Sequence, residues 1–145
     1  MKNRNTVFTA IAFALAFALA PVTQATPCPQ GGCGEQLSVI TIHSTDNVIR
    51  GKTGSFVLDM KPAVMLGGMY VNFSVSGTAI PGVDYVALVS PAYIGQSGYG
   101  VIHIQTLPDP RGPSFRQAYS VVITLEPGAG YAIGQPSSAT MWIKP

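Results

Sequence analysis

Six carboxylates are all that this 145-residue chain offers for metal or acid–base chemistry. One of them, Asp84, sits in VSGTAIPGVDY (Val75 to Tyr85), a stretch rich in glycine and proline. An aspartate in such a turn can serve in two ways. It can give oxygen to a hard cation such as calcium, which takes six to eight oxygens, largely carboxylate. Alternatively its carboxylate can accept hydrogen bonds from turn N–H groups and fix the loop with no ion. A second acid, Asp109, lies in the Pro-flanked segment LPDPRG. The remaining acids are scattered and form no paired set for general acid–base work.

The other reactive side chains are few. His43 and His103 each fall within an alternating apolar stretch, where a lone histidine is more often a surface residue than a catalyst. No Ser/His/Asp or Cys/His order, HExxH motif or phosphate-cradling glycine loop is present. The expectation is a protein that is not an enzyme. Cys28 and Cys33, in CPQGGC, are expected to form a disulfide, the default pairing in an exported chain. So short a loop would contribute roughly 2 kcal/mol. Their spacing is not CxxC and no histidine lies near them, which argues against redox or metal chemistry.

Export is read from the first 25 residues. Lys2 and Arg4 precede an apolar run from Val7 to Ala20, and small Ala25 follows Thr23 and Gln24. That is the order of a secretory signal peptide. The run is too short to cross a hydrocarbon layer of about 30 Å comfortably, so no membrane span is expected after cleavage. The segment before Cys28 is not a lipoprotein box. The expected layout is a signal peptide over 1–25, a disulfide-loop segment over 26–36 and one domain over 37–145, in the periplasm or outside the cell. Setting Lys2 and Arg4 aside turns eight basic and six acidic residues into six of each. With no basic stripe left, nucleic acid is not an expected partner.

The elements that must position Asp84 are strands. Hydrophobic residues make up 47% of the chain and charged ones 10%, with 16 glycines and 12 prolines between apolar runs; that is the composition of a many-turned β protein. From Leu37 onward the apolar residues alternate with period two. The stretches LSVITIH, GSFVLDM, MYVNFSVS, Tyr85 to Ser90, YGVIHIQTL, QAYSVVITL and SATMWIK read as seven strands. Phe56, Leu58, Val71, Phe73, Ile102, Ile104, Val121, Ile123, Met141 and Ile143 supply the inner faces, and Tyr85 packs at the core edge. About seven short strands with turn signals between them predict an all-β, antiparallel, immunoglobulin-like sandwich, with an eight-stranded barrel as the rival.

With the strands laid out, VNFSVSGTAIPGVDYVAL (Val71 to Leu88) resembles the middle of a Calx-beta domain, where a strand enters a GTA-x-x-G-x-DY turn. GYAIGQPSSATMWI (Gly130 to Ile143) resembles that family's last hairpin and final strand, and GKTGSFVLDM its second strand more loosely. The resemblance implies an immunoglobulin-like sandwich of the kind found in sodium–calcium exchangers, integrin subunits and bacterial surface proteins, some of which bind calcium at one end. It would place Asp84 and Asp109 on such a metal. The glutamate of calcium-binding members is absent, however, with Arg50 and Lys52 in its region, and the acidic loop is RGPSFRQ, which brings Arg111 and Arg116. Positive charge there opposes a cation. No cofactor is therefore expected, and calcium at most weakly.

One outward surface is a candidate for binding. The third, sixth and seventh strands would present Tyr70, Asn72 and Ser74, then Ser120, Val122 and Thr124, then Thr140, Trp142 and Lys144. Aromatic, amide and hydroxyl groups together suit a glycan or a protein partner, though an ordinary solvated β face reads the same way. The expected role is an exported binding or structural module that meets a protein or a surface. The alternatives are a calcium-dependent adhesion module, a glycan-binding module using Tyr70, Asn72 and Trp142, and a homo-oligomer built through a strand edge.

Overall fold

A computed structural model describes residues 37–63, 67–112 and 116–145. The signal segment 1–25, the segment 26–36 and the Cys28–Cys33 pair lie outside the described residues. Alternation of apolar side chains builds the first sheet. In β1 (Ser38–Ser44) Ile40 and Ile42 point inward, and in β3 (Thr53–Lys61) Phe56, Leu58 and Met60 do. In β7 (Tyr99–Gln105) it is Ile102 and Ile104. These strands and β9 (Tyr131–Ile133) form one four-stranded sheet, in the order β7-β3-β1-β9. β3 is antiparallel to both neighbours, and β9 runs parallel to β1.

The second sheet contains β2 (Val48–Ile49), β5 (Phe73–Gly77), β8 (Tyr119–Leu125) and β10 (Ser138–Lys144), in the order β2-β10-β8-β5. Tyr119, Val121, Ile123 and Leu125 of β8 are buried with Met141 and Ile143 of β10. The two inner faces meet in one apolar layer that also takes Val71, Tyr85 and Ile94. A short pair, β4 (Met69–Val71) and β6 (Ala92–Ile94), completes the described strands. Every residue expected on the inner faces is buried, and the all-β sandwich is the observed architecture rather than the barrel.

Strands β2, β6 and β9 lie outside the seven stretches read as strands, and two pairings are parallel where an antiparallel sandwich was expected. Three further details depart from the sequence reading. The stretch Tyr85 to Ser90 is not a strand; Tyr85 alone makes isolated bridges, to Pro81 and Thr106. The run Met69 to Gly77 is broken at Asn72, with β4 pairing with β6 and β5 with β8. The cause is local hydrogen bonding: Asn72 N–H donates to the Tyr131 hydroxyl, Asn72 C=O accepts from Glu126, and the Ser90 hydroxyl takes Phe73 N–H. These partners take the ladder's place and let the chain change sheets, with Val71 and Phe73 both still buried. Ser120, expected to face outward, is buried. Its N–H donates to Thr78 Oγ1 at 2.8 Å, and its own Oγ accepts from Thr78 N–H at 3.1 Å.

A second change of sheet sets up the site. After β1 the chain crosses at Asp46–Asn47, and β2 runs parallel to β10. Asn47 Oδ1 accepts from Trp142 N–H, and Arg50 N–H donates to the Lys144 carbonyl at 2.9 Å. Arg50 is thereby held at one end of the sandwich. The turn that follows uses Gly51 at φ 77°, a left-handed conformation that glycine adopts at least cost.

Candidate functional site

The turn around Asp84 closes on itself before it meets anything else. Val83 and Asp84 N–H both donate to the Ile80 carbonyl, at 3.1 and 2.8 Å, and Gly82 N–H donates to the Tyr85 carbonyl at 2.7 Å. Gly82 supplies the positive φ, 79°, that this winding requires. The Asp84 carboxylate then reaches back, and Oδ2 accepts from Ile80 N–H at 2.8 Å. The loop-fixing role is thus built from one residue's backbone and side chain together. The whole turn is stitched to the end of β7. Val86 N–H donates to the Gln105 carbonyl, and Leu107 N–H to the Asp84 carbonyl. Thr106 Oγ1 donates to the Lys52 carbonyl at 2.6 Å, which brings the β2–β3 corner alongside.

Three segments distant in sequence therefore converge, and their charged residues meet. Asp84 is wholly buried. Its Oδ1 accepts from Arg50 Nη2 at 2.6 Å and also from Arg111 Nη2. Asp109 takes Arg111 through the backbone N–H at 3.0 Å and through Nε at 2.8 Å, both on Oδ1. Arg50 Nε lies 3.3 Å from Asp109 Oδ2, an ion pair without hydrogen-bond geometry, and Arg50 Nη1 donates to the Leu107 carbonyl. Both guanidinium groups lie over the Tyr119 ring, their central carbons 4.2 Å (Arg111) and 5.4 Å (Arg50) from its centroid. Two acids and two bases thus form a closed, neutral quartet on an aromatic floor. Only twelve charged residues follow position 25, and four of them are spent here.

Electrostatics follow from that geometry. Burial pushes the Asp84 carboxyl up, but the Arg50 hydrogen bond, the Ile80 N–H and the two guanidinium charges outweigh it, and the net shift is downward. Asp109 is also held low, chiefly by its hydrogen bond from Arg111. Beside them, burial and then the Asp84 charge raise the Tyr85 phenol above its usual range. Both carboxylates are fully ionised at neutral pH.

The residues present do not fit a calcium ion. Two carboxylates fall short of the oxygen set that calcium takes. Asp84 Oδ1 and Asp109 Oδ1 already accept from guanidinium groups, and two full positive charges stand among them. Among the described residues no group of three or more His, Cys, Asp or Glu side chains is placed to hold a metal.

The structure brings Asp84 and Asp109 to one corner. It does not bring the aromatic candidates to one sheet. Tyr70 lies on β4, opposite Tyr93 of β6, with the ring centroids 5.2 Å apart and tilted by 55°. Trp142 lies on β10 in the four-stranded sheet opposite Ser120. Asn72 sits at the break between β4 and β5, where its side chain donates to the Pro127 carbonyl. His43 and His103 face solvent on the outer side of the other sheet. His43 Nδ1 stands 3.2 Å from Asp59 Oδ2 and His103 Nδ1 stands 3.2 Å from Ser55 Oγ. Among the described residues, serine and aspartate thus engage different histidines and form no relay with either.

Sequence reasoning placed positive charge near the two aspartates but missed that Arg50 and Arg111 bond to them directly. The readable signal was the placing of Arg50 and Arg111, two of the few charged residues of a weakly charged chain, in the segments named beside Asp84 and Asp109. Tyr119 was legible only as a core residue.

The fold and this corner define a mainly antiparallel, immunoglobulin-like β-sandwich with one end tied by ion pairs. Among solved structures the chain is similar to "Crystal structure of calcium binding domain CBD12 of CALX1.1", with a TM-score of 0.56 at 16% identity. The match covers 72% of this chain and 44% of that one, so this chain spans less than half of its length. No protein-family model and no curated protein matches the sequence.

Proposed function

We propose that this chain is an exported, non-catalytic Calx-beta-like module, structural or binding in role, that meets a protein or a surface and works without calcium. The observation that carries this reading is the Asp84–Arg50–Asp109–Arg111 quartet. Of the carboxylates that the resemblance would assign to a metal, both Oδ1 atoms accept from the chain's own guanidinium groups, Asp84 Oδ2 accepts from Ile80 N–H, and Asp109 Oδ2 keeps only its ion pair with Arg50. On this reading the corner is closed by the chain's own side chains and needs no ligand.

Thermal melting of the purified protein with millimolar calcium and with a chelator tests this. A site filled to a hundred times its Kd would add about 2.7 kcal/mol. At about 4–8 °C of Tm per kcal/mol for a small domain, that is a large shift. We expect the two melting curves to coincide; a calcium-dependent rise of several degrees would sink the reading.

A second reading, glycan binding, is favoured by one observation. Tyr70 and Tyr93 are 66% and 52% exposed and stand side by side, an aromatic pair of the kind that stacks on sugar rings. Retention of a cell-surface glycan panel that is lost in Y70A/Y93A but kept in W142A would support it. Equal retention by all three proteins would remove it.

A further inference from the structure

A divalent ion at the end of a sandwich does two jobs: it cancels carboxylate charge, and it ties segments that are far apart in sequence. The Arg50 and Arg111 guanidinium groups do both here. Two carboxylates carry two negative charges and the two arginines return two positive ones, the same total as one calcium ion. Arg50 comes from the β2–β3 corner, Asp84 from the turn before Tyr85, and Asp109 and Arg111 from the segment after β7. Arg50 makes its bond to Asp84 over a separation of 34 residues, and Arg111 over 27.

We propose that Arg50 and Arg111 together are the resident cation of this corner, a covalently tethered replacement for a divalent ion, and that removing both guanidinium groups uncovers a site for calcium or a lanthanide. The inference rests on the calcium-independent reading above. Its chemistry is specific. Glutamine at both positions would leave two uncompensated carboxylates at the corner, the charge that one divalent ion neutralises. The two glutamine amide oxygens and the Leu107 carbonyl, which now accepts from Arg50 Nη1 at 3.3 Å, would add neutral oxygen donors. Tyr119 lies beneath both guanidinium groups, so its ring would sit within energy-transfer range of a lanthanide taking their place.

The test compares the wild-type protein with R50Q/R111Q, using terbium luminescence excited through tyrosine, and melting with and without millimolar calcium. The expected result is a silent wild type. The double variant melts several degrees lower, recovers at least half of that loss in calcium, and shows terbium emission that calcium displaces. Adding D84N abolishes the emission. A folded R50Q/R111Q that answers neither ion overturns the proposal, as does one that melts like wild type without any cation. If the double variant folds only in calcium, as read by circular dichroism, the proposal holds in its strongest form. If it folds in neither condition, calcium has failed to take the place of the two guanidinium groups, and the proposal is overturned. A wild type that itself responds to calcium would refute the calcium-independent reading instead, so the two failures are distinct.

Discussion

Arg50 donates to Oδ1 of Asp84 across 2.6 Å, joining a β2–β3 corner to a turn 34 residues further along the chain. The aspartate is fully buried, and the Arg50 side chain retains only 9% of its exposure. A buried ion pair adds little net stability compared with apolar groups of the same shape. Breaking one by removing a single partner is costly, because a charge is left behind. That asymmetry governs the first three predictions.

Asp84→Asn keeps the side chain's size and the chance of a bond from Ile80 N–H, but leaves two guanidinium groups to share the single carboxylate of Asp109. Loss of about 3–5 kcal/mol is expected, read as a fall in Tm of roughly 10 °C or more. A change below about 1 kcal/mol in denaturant unfolding would show that the quartet is energetically idle.

Arg50→Ala should destabilise more than Arg111→Ala. Arg50 keeps 9% of its side-chain exposure and Arg111 25%, so water can replace more of what Arg111 supplies. The carboxylate left behind is buried in both cases. Urea midpoints of the two variants measured side by side check the order, and the reverse order would refute it.

Stability should fall in acid through these same carboxylates. The folded Asp84 and Asp109 pKa values lie below their ordinary 3.8. Their contribution is fully present above that value and is lost as pH falls through the lowered folded values. A profile of Tm against pH should therefore decline below about pH 4. In D84N the decline should be shallower.

Tyr119→Phe should be nearly neutral for the corner, since the ring face lies under both cations, whereas Tyr119→Leu removes that face. A desolvated cation–π contact is worth about 2 kcal/mol, so a gap of that order between the two variants is expected in chemical unfolding. Equal stability would mean that the ring serves only as apolar filling.

Gly77→Ala should also destabilise, by more than about 1 kcal/mol. Gly77 has φ 119°, where a side chain is strained, and a Cβ there would press on the Ser120 carbonyl. That carbonyl accepts from Ala79 N–H at 2.9 Å, so the backbone has little room to yield. Thermal melting of the single variant is sufficient to check it.

Much of the fold is legible in the residue order, because burial of alternate residues is a local property of a strand. Ile40 and Ile42, Phe56 and Leu58, Val121 and Ile123 need only their spacing to be placed inside. The break at Asn72 is not legible. Its alternation continues unbroken from Met69 to Val75, and the hydrogen bonds that divide it come from Tyr131, Glu126 and Ser90. The same is true of Ser120, whose alternation points outward although Thr78 folds over it.

The sequence by itself determined an alternating, turn-rich β chain with Asp84 in a glycine-bearing turn, and it put Arg50, Lys52, Arg111 and Arg116 where the resemblance would call for acids. Those are matters of residue type and near spacing. Only the tertiary structure decided what holds the aspartate. Arg50, Asp109 and Arg111 are brought to it by two changes of sheet and a loop after β7. Attraction between buried charges depends on distances of a few ångströms, which sequence separation does not specify.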